Sequence, residues 1–422
     1  MNKSFLLLLP IFFPLLEASV NGQWAKEGAM RVDFVLAGNN RSTDVFISKI
    51  TKEPHWGGNY TKTIDKSYLG SYYFTVTDTS SNLLYSRGFD ALFGEWQTTS
   101  EAGRLHKAFE QSLVFPYPLH PVTLKIFSRH HLDSLKLLYT CEIDPSDFLI
   151  SQKKPAGCRV QELLVNGTPD NKLDLVFLSE GYNSGQSGDF FRHAKAFMNY
   201  LSQIEPYKSN MDKLNIRAVF LASTDEGADI PGENLWKSTA LNTNFYTFGS
   251  DRYLTTESYW KVRDAAAEVP YDQILICVNS PMYGGGGIYN HYSVFTSSNV
   301  LSPEVFIHEF GHAFGSLGDE YYDAEVAYSD FYPLSEEPNV PNLTTLVSFG
   351  RKWKDMVPAG TPVPTPVSDA KPGVAGVFEG GGYAAKGIYR PEMDCRMMSN
   401  DAPGFCVVCR RSLLQMLVFY AE

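Results

Sequence analysis

The chain has 422 residues, 44% of them hydrophobic, which is enough for one or more full-sized cores and suggests two or three domains. Its formal net charge is -11, from 36 basic and 47 acidic residues, which argues against nucleic acid or an anionic membrane surface as a partner. Aromatic content is 14%, with 24 Tyr and 28 Phe, a supply that suits β-rich packing.

Residues 1–22 read as an export signal. Lys3 supplies the positive start, Phe5 to Leu16 is a nearly unbroken apolar run, and the small residues Ala18, Ser19 and Gly22 follow. The run is about a dozen residues, short of the roughly 20 that a membrane span needs. No other stretch is long and apolar enough. The mature protein is expected to be secreted, periplasmic or at the cell surface, without stable membrane insertion.

From Met30 the pattern is β-like. Arg31–Leu36, Asp44–Ile47, Ser71–Asp78, Leu83–Arg87, Val122–Phe127 and Ser134–Tyr139 are short runs separated by turn residues. This spacing predicts an antiparallel β-sandwich over residues 23–160. The composition turns linker-like near 150–170, at Lys153–Gly157 and Asn166–Pro169, and a second domain is placed at 165–422. There, Leu173–Leu178, Ile216–Leu221 and Gln273–Val278 read as buried strands. They alternate with helical patterns over 190–204 and 259–268, predicting a mainly parallel sheet covered by helices. The expected fold class is α+β with two domains, a sandwich followed by an α/β domain.

Gly284–Gly287 comes next. It lacks the lysine and the strand–loop–helix setting of a phosphate loop. It reads as a flexible turn into an edge strand over His291–Thr296, and such an edge can pair with an extended substrate backbone.

The chemistry lies in His308-Glu309-Phe310-Gly311-His312-Ala313-Phe314-Gly315-Ser316-Leu317-Gly318-Asp319-Glu320. Ser302 as N-cap and Pro303 at the first helical position predict a helix start, and the apolar Val305–Ile307 makes the helix a buried one. Histidines at i and i+4 share one helical face, so His308 and His312 can reach one small metal ion. Glu309 beside them can act as base toward a water. Two nitrogen ligands, a third protein ligand and a carboxylate are the zinc-hydrolase arrangement. Gly315 and Gly318 are expected to end the helix through the left-handed conformation, swinging Asp319 back toward the histidines. Asp319 is the first candidate for third ligand, and Glu320 and His291 are the alternatives.

Beyond Asp319 the chain is loop-like and rich in Pro and Gly, with Asn342-Leu343-Thr344 a glycosylation sequon on paper. The tail carries Asp394–Met398, then Phe405–Cys409, which opens a final helix through about Tyr420. There are six cysteines, and Cys277 lies in an apolar run as a buried thiol. Cys395, Cys406 and Cys409 are spaced like ligands of a second zinc, but they number only three. A disulfide between Cys395 and one of the pair is the preferred expectation in an exported chain.

The segment H-E-F-G-H-A-F-G-S-L-G-D-E, then D-C-R-M-M, then F-C-V-V-C-R-R, in that order, resembles the metzincin clan of zinc peptidases. Within that clan it resembles most the M64 family of IgA-peptidase-type metallopeptidases. The earlier runs M-R-V-D-F-V-L-A-G-N and F-G-E-W-Q-T-T resemble the β-rich domain that precedes the peptidase in that family, so the likeness spans nearly the whole mature chain. The resemblance implies His308 and His312 as zinc ligands and Glu309 as general base. It implies a methionine beneath the metal, Met397 or Met398, with Met397 the choice. The common clan pattern places its third ligand where this chain has Gly318, and Asp319, one residue later, is what the M64 resemblance implies.

These readings lead to a secreted endopeptidase that uses Zn2+ and acts on protein or glycoprotein substrates. Tyr321, Tyr322 and Tyr383 are candidate donors to the developing oxyanion. Two other readings are a surface glycan- or protein-binding protein with a structural metal, and a zinc amidase acting on cell-wall peptides. Glu309 counts against the first of these, since a structural metal needs no base.

Overall fold

The structure, a computed structural model, describes residues 22–131, 134–152, 154–322 and 331–421. The expected export signal lies outside the described residues, Gly22 apart. Among the described residues no helix is long and apolar enough to cross a membrane.

The chain has a mixed α/β fold, with a β-rich N-terminal region and a separate C-terminal domain. The N-terminal region holds two four-stranded sheets. The first contains β1 (Trp24–Asn39), β2 (Ser42–Glu53), β5 (Lys107–Pro118) and the short β8 (Ser151–Gln152), in the order β5-β1-β2-β8. The second contains β3 (Tyr72–Thr77), β4 (Leu83–Phe89), β6 (Val122–His131) and β7 (Ser134–Ile143), in the order β4-β3-β6-β7. Side chains alternate across a strand, so Val32, Phe34 and Leu36 of β1 meet Phe74 and Val76 of β3 in one apolar core. The rings of Phe74 and Phe115 lie 6.4 Å apart across the two sheets. Arg31 and Asp33 take the opposite face. Arg31 is buried and pairs with Glu53 at 2.9 Å, with Asp33 at 3.0 Å and with Asp264 of the C-terminal domain at 2.7 Å. Three carboxylates surround one guanidinium, whose two terminal nitrogens donate to all three, and tie the two regions together.

The C-terminal domain is built on a six-stranded sheet. Its strands are β9 (Arg159–Leu164), β10 (Leu173–Glu180), β11 (Leu214–Phe220), β12 (Gln273–Val278), β13 (Gly285–Ile288) and β14 (Tyr292–Thr296), in the order β13-β14-β12-β10-β11-β9. The four central strands are parallel, three of them (β10, β11 and β12) the strands that the sequence marks as buried, and β13 and β9 pair antiparallel at the edges. β9 falls in the stretch read as linker, because its mostly exposed side chains leave no apolar alternation to see.

Alternation within β10 divides the two faces. Val176 and Leu178 join the core shared with the N-terminal region, and Leu175 and Phe177 face the helices. Those helices are α2 (Ser187–Leu201), α4 (Ser302–Gly315) and α5 (Val407–Ala421). The short α1 (Leu92–Trp96) belongs to the N-terminal region, and α3 (Tyr259–Ala266) packs between the two regions, against β5 and β10. α4 lies along β13 and β14. The glycine run is therefore not a turn into the edge strand. Gly285–Ile288 is itself the edge, and Tyr292–Thr296 is the second strand in. A hairpin of β15 (Phe378–Gly381) and β16 (Ala384–Arg390) interrupts the loop-like stretch that follows α4.

Candidate active site

α4 buries Val305, Phe306, Phe310, Ala313 and Phe314 on its apolar side, which leaves His308 and His312 on the opposite, partly open face. Their Nε2 atoms lie 3.1 Å apart. Each ring is held from behind. His308 Nδ1–H donates to the Arg396 carbonyl at 3.0 Å, and His312 Nδ1–H donates to the Leu317 carbonyl at 2.5 Å. A carbonyl can only accept, so each imidazole is held with Nε2 facing forward, the tautomer a metal ligand needs.

The helix ends differently from the expectation. Gly315 is its last residue, and the left-handed residue is Ser316, at φ 50°. Gly315 is needed for closeness instead, since a Cβ there would lie 2.7 Å from Leu413 Cδ2 of α5. Gly318 is clamped by Asn342. Its N–H donates to Asn342 Oδ1 at 2.7 Å, and Asn342 Nδ2 donates to its carbonyl at 2.8 Å. Asn342 is fully buried, so the apparent sequon is a structural clamp.

This turn carries Asp319 back to the histidines. Asp319 Oδ1 lies 3.0 Å from His308 Nε2 and 3.2 Å from His312 Nε2, and Tyr383 OH donates to Oδ2. Zinc ligands at about 2.0–2.2 Å from the ion stand about 3.3 Å from one another in a tetrahedral site. The three atoms fit that spacing, and the donor set of two imidazoles and one carboxylate suits the ion. Burial alone would raise the Asp319 carboxyl pKa, but His312 and His308 hold it well below the usual range. Burial works to lower the His312 pKa, and Asp319 overrides it, carrying it up to about 9 in the metal-free chain.

The two alternative ligands sit elsewhere. Glu320 turns away, accepting from Asn342 Nδ2 at 2.9 Å and facing Cys409. His291 is buried and stacked on Tyr259 at 3.5 Å between centroids. Glu309 lines the cleft beside the histidines. Burial pushes its carboxyl pKa up, only partly countered by His308 and His312. Met397 is buried beneath α4, where a Cβ at Gly311 would come within 2.8 Å of its sulfur, whereas Met398 lines the cleft.

The cleft encloses about 820 Å³ and takes one wall from each region. Asn40, Glu95 and Arg129 come from the N-terminal region, and Arg252, Glu337 and Tyr383 from the C-terminal domain. Tyr253 OH donates to Glu95 Oε2 at 2.5 Å across this junction. The guanidinium of Arg252 lies 5.6 Å from the centroid of Tyr321, which in turn stacks along His308. Arg252 and Asn342 are the site residues that reading the sequence missed. Neither sits near the His–Glu–His motif, and each reaches the site only through the tertiary fold.

The profile described as IgA Peptidase M64 matches residues 161–373 and 367–417, and the one described as Peptidase M64 N-terminus matches 22–140. The chain belongs to the IgA Peptidase M64 family. It is therefore a peptidase, and the His–Glu–His helix lies inside the matched peptidase segment. No curated protein matches the chain.

One consequence for this M64 chain concerns the edge strand. A Cβ on Gly287 would lie 2.2 Å from the Glu309 backbone oxygen and 2.9 Å from His312 Cβ. A backbone atom cannot move aside, so Gly287→Ala is expected to push β13 off α4 and cost about 1–3 kcal/mol, as overpacking does. Thermal unfolding checks this against Gly185→Ala, where a Cβ meets nothing within 4 Å. Equal melting temperatures for the two variants would refute the close approach.

Proposed function

We propose that the chain is an exported, zinc-dependent endopeptidase of the metzincin type that cleaves extended segments of protein or glycoprotein substrates. The observation that carries this reading is the meeting of His308 Nε2, His312 Nε2 and Asp319 Oδ1 beside Glu309 in an open cleft. When bound, zinc supplies Lewis acidity toward the scissile carbonyl. Glu309 accepts the proton of the attacking water and then delivers it to the leaving amine, and its raised basicity suits that task.

The edge strand positions the substrate. Gly285 is already bonded to Arg252 and Leu254 through its own N–H and C=O. Strand bonding alternates, so Gly287 turns its N–H and C=O the same way, along the cleft wall, where an extended peptide can pair with them. Tyr383 is committed to Asp319. Arg252, a lasting cation in the same cleft, is thus the better candidate donor for the developing oxyanion.

The test is metal removal. Cleavage of a glycoprotein panel is expected to fall to background after chelation and to return with added zinc. Undiminished cleavage by protein shown to be zinc-free would overturn the reading. A panel that includes cell-wall peptides separates the amidase alternative, which would cleave those alone.

A further inference from the structure

Behind the histidine site lies a second cluster that peptide hydrolysis does not use. Glu320, Cys395, Cys406 and Cys409 are all buried, and their ligating atoms lie within 4.8 Å of one another. We propose that these four residues form a second, structural metal site of the zinc class, with three thiolates and one carboxylate.

The distances fit. Zinc–sulfur bonds of about 2.3 Å in a tetrahedron place sulfurs about 3.8 Å apart, and Cys395 Sγ lies 3.8 Å from Cys409 Sγ. Glu320 Oε1 lies 3.2 Å from Cys409 Sγ and 3.9 Å from Cys406 Sγ. With a zinc–oxygen bond of about 2.0–2.2 Å, a sulfur–oxygen separation near 3.5 Å is expected, and the two values bracket it. The sulfurs also accept backbone N–H groups, Cys406 N–H to Cys395 Sγ at 3.3 Å and Cys409 N–H to Cys406 Sγ at 3.4 Å. Such donors stabilise a thiolate.

A disulfide accounts for the cluster less completely. It would consume two sulfurs and leave a buried thiol beside a buried carboxylate whose Oε2 has no hydrogen-bond partner. A metal uses all four groups, and a closed set of four protein ligands marks a structural site rather than a catalytic one. The carboxylate is the ligand that cysteine spacing alone could not supply. It comes from the residue next to Asp319.

The site ties together the three segments that shape the first one. Glu320 follows Asp319, and its N–H donates to the Met397 carbonyl at 2.8 Å. Cys395 precedes Arg396, whose carbonyl orients His308. Cys406 and Cys409 anchor the start of α5. The second metal thus positions Asp319 without touching substrate.

The test uses the full-length chain. Two zinc ions per chain are expected by elemental analysis, falling to one in His308→Ala/His312→Ala and to one in Cys406→Ser. Cobalt-loaded protein is expected to show thiolate-to-cobalt charge-transfer absorption, which the double histidine variant keeps and Cys406→Ser loses. That band is independent of any peptidase activity, so its loss and a failure of the catalytic reading are separable. Alkylation of the unreduced, denatured wild type decides the matter even where Cys406→Ser does not fold. Three free thiols from the cluster support the site. A Cys395–Cys409 disulfide, or a single zinc with no thiolate band, overturns it.

Discussion

Glu309→Gln is expected to lower kcat/KM on a cleavable protein by about 10²–10⁴-fold, the usual worth of a positioned general base. Zinc content and melting temperature should stay at wild-type values. Glutamine matches glutamate in size and keeps its packing beside the histidines, but it cannot accept a proton at neutral pH. The carboxyl is also tuned for the task, because its burial favours the protonated form. Cleavage at the wild-type rate by a fully metal-loaded Glu309→Gln protein would remove Glu309 from the chemistry. It would also reopen a purely structural role for the histidine site.

Asp319→Ala is expected to empty the first site. Outer-shell partners of a metal ligand are each worth roughly 10–100-fold in affinity, and loss of a ligand should exceed that, with activity falling in step. His291→Ala, at a residue stacked on Tyr259 away from the cleft, should keep its zinc. Loss of zinc in His291→Ala but not in Asp319→Ala would reverse the ligand assignment. Asp319→Ala also reads out in the metal-free state. His312 has its pKa raised from 6.5 to about 9, so its contribution to stability is complete below 6.5 and is lost as pH rises through about 9. Asp319 has its pKa lowered, so its contribution is complete above 3.8 and is lost as pH falls below that. Chelated wild type should therefore melt highest between these limits, and Asp319→Ala should flatten the profile.

The parts of this molecule that could be read from the sequence are those whose signal is local. Leu173–Leu178 is apolar but for Asp174 because β10 is buried on both faces, and a run of that kind announces itself. The helix carrying His308 and His312 is legible because its apolar positions recur at helical spacing. The turn after it was harder. The sequence offered two glycines for the left-handed position, yet Ser316 takes it, while Gly315 and Gly318 are required by Leu413, Val340 and Leu343. Those contacts come from residues far along the chain, and no window around the motif contains them. Asn342 looked like a surface sequon for the same reason, since its partners Gly318 and Glu320 lie more than twenty residues upstream. The glycine run reads as a turn because four small residues carry no strand signal. Its strand character comes from pairing with β14 and from the need to pass close to α4.

The shared cleft wall has an implication for how such an enzyme can diversify. His308, Glu309, His312 and Asp319 are all encoded after residue 300, whereas Asn40, Glu95 and Arg129 shape the opposite bank of the groove from the first third of the chain. If that bank contacts substrate, hydrolysis and choice of target are separable heritable traits. Drift in the early strands would then redirect which polypeptides are admitted while the reacting groups stay untouched.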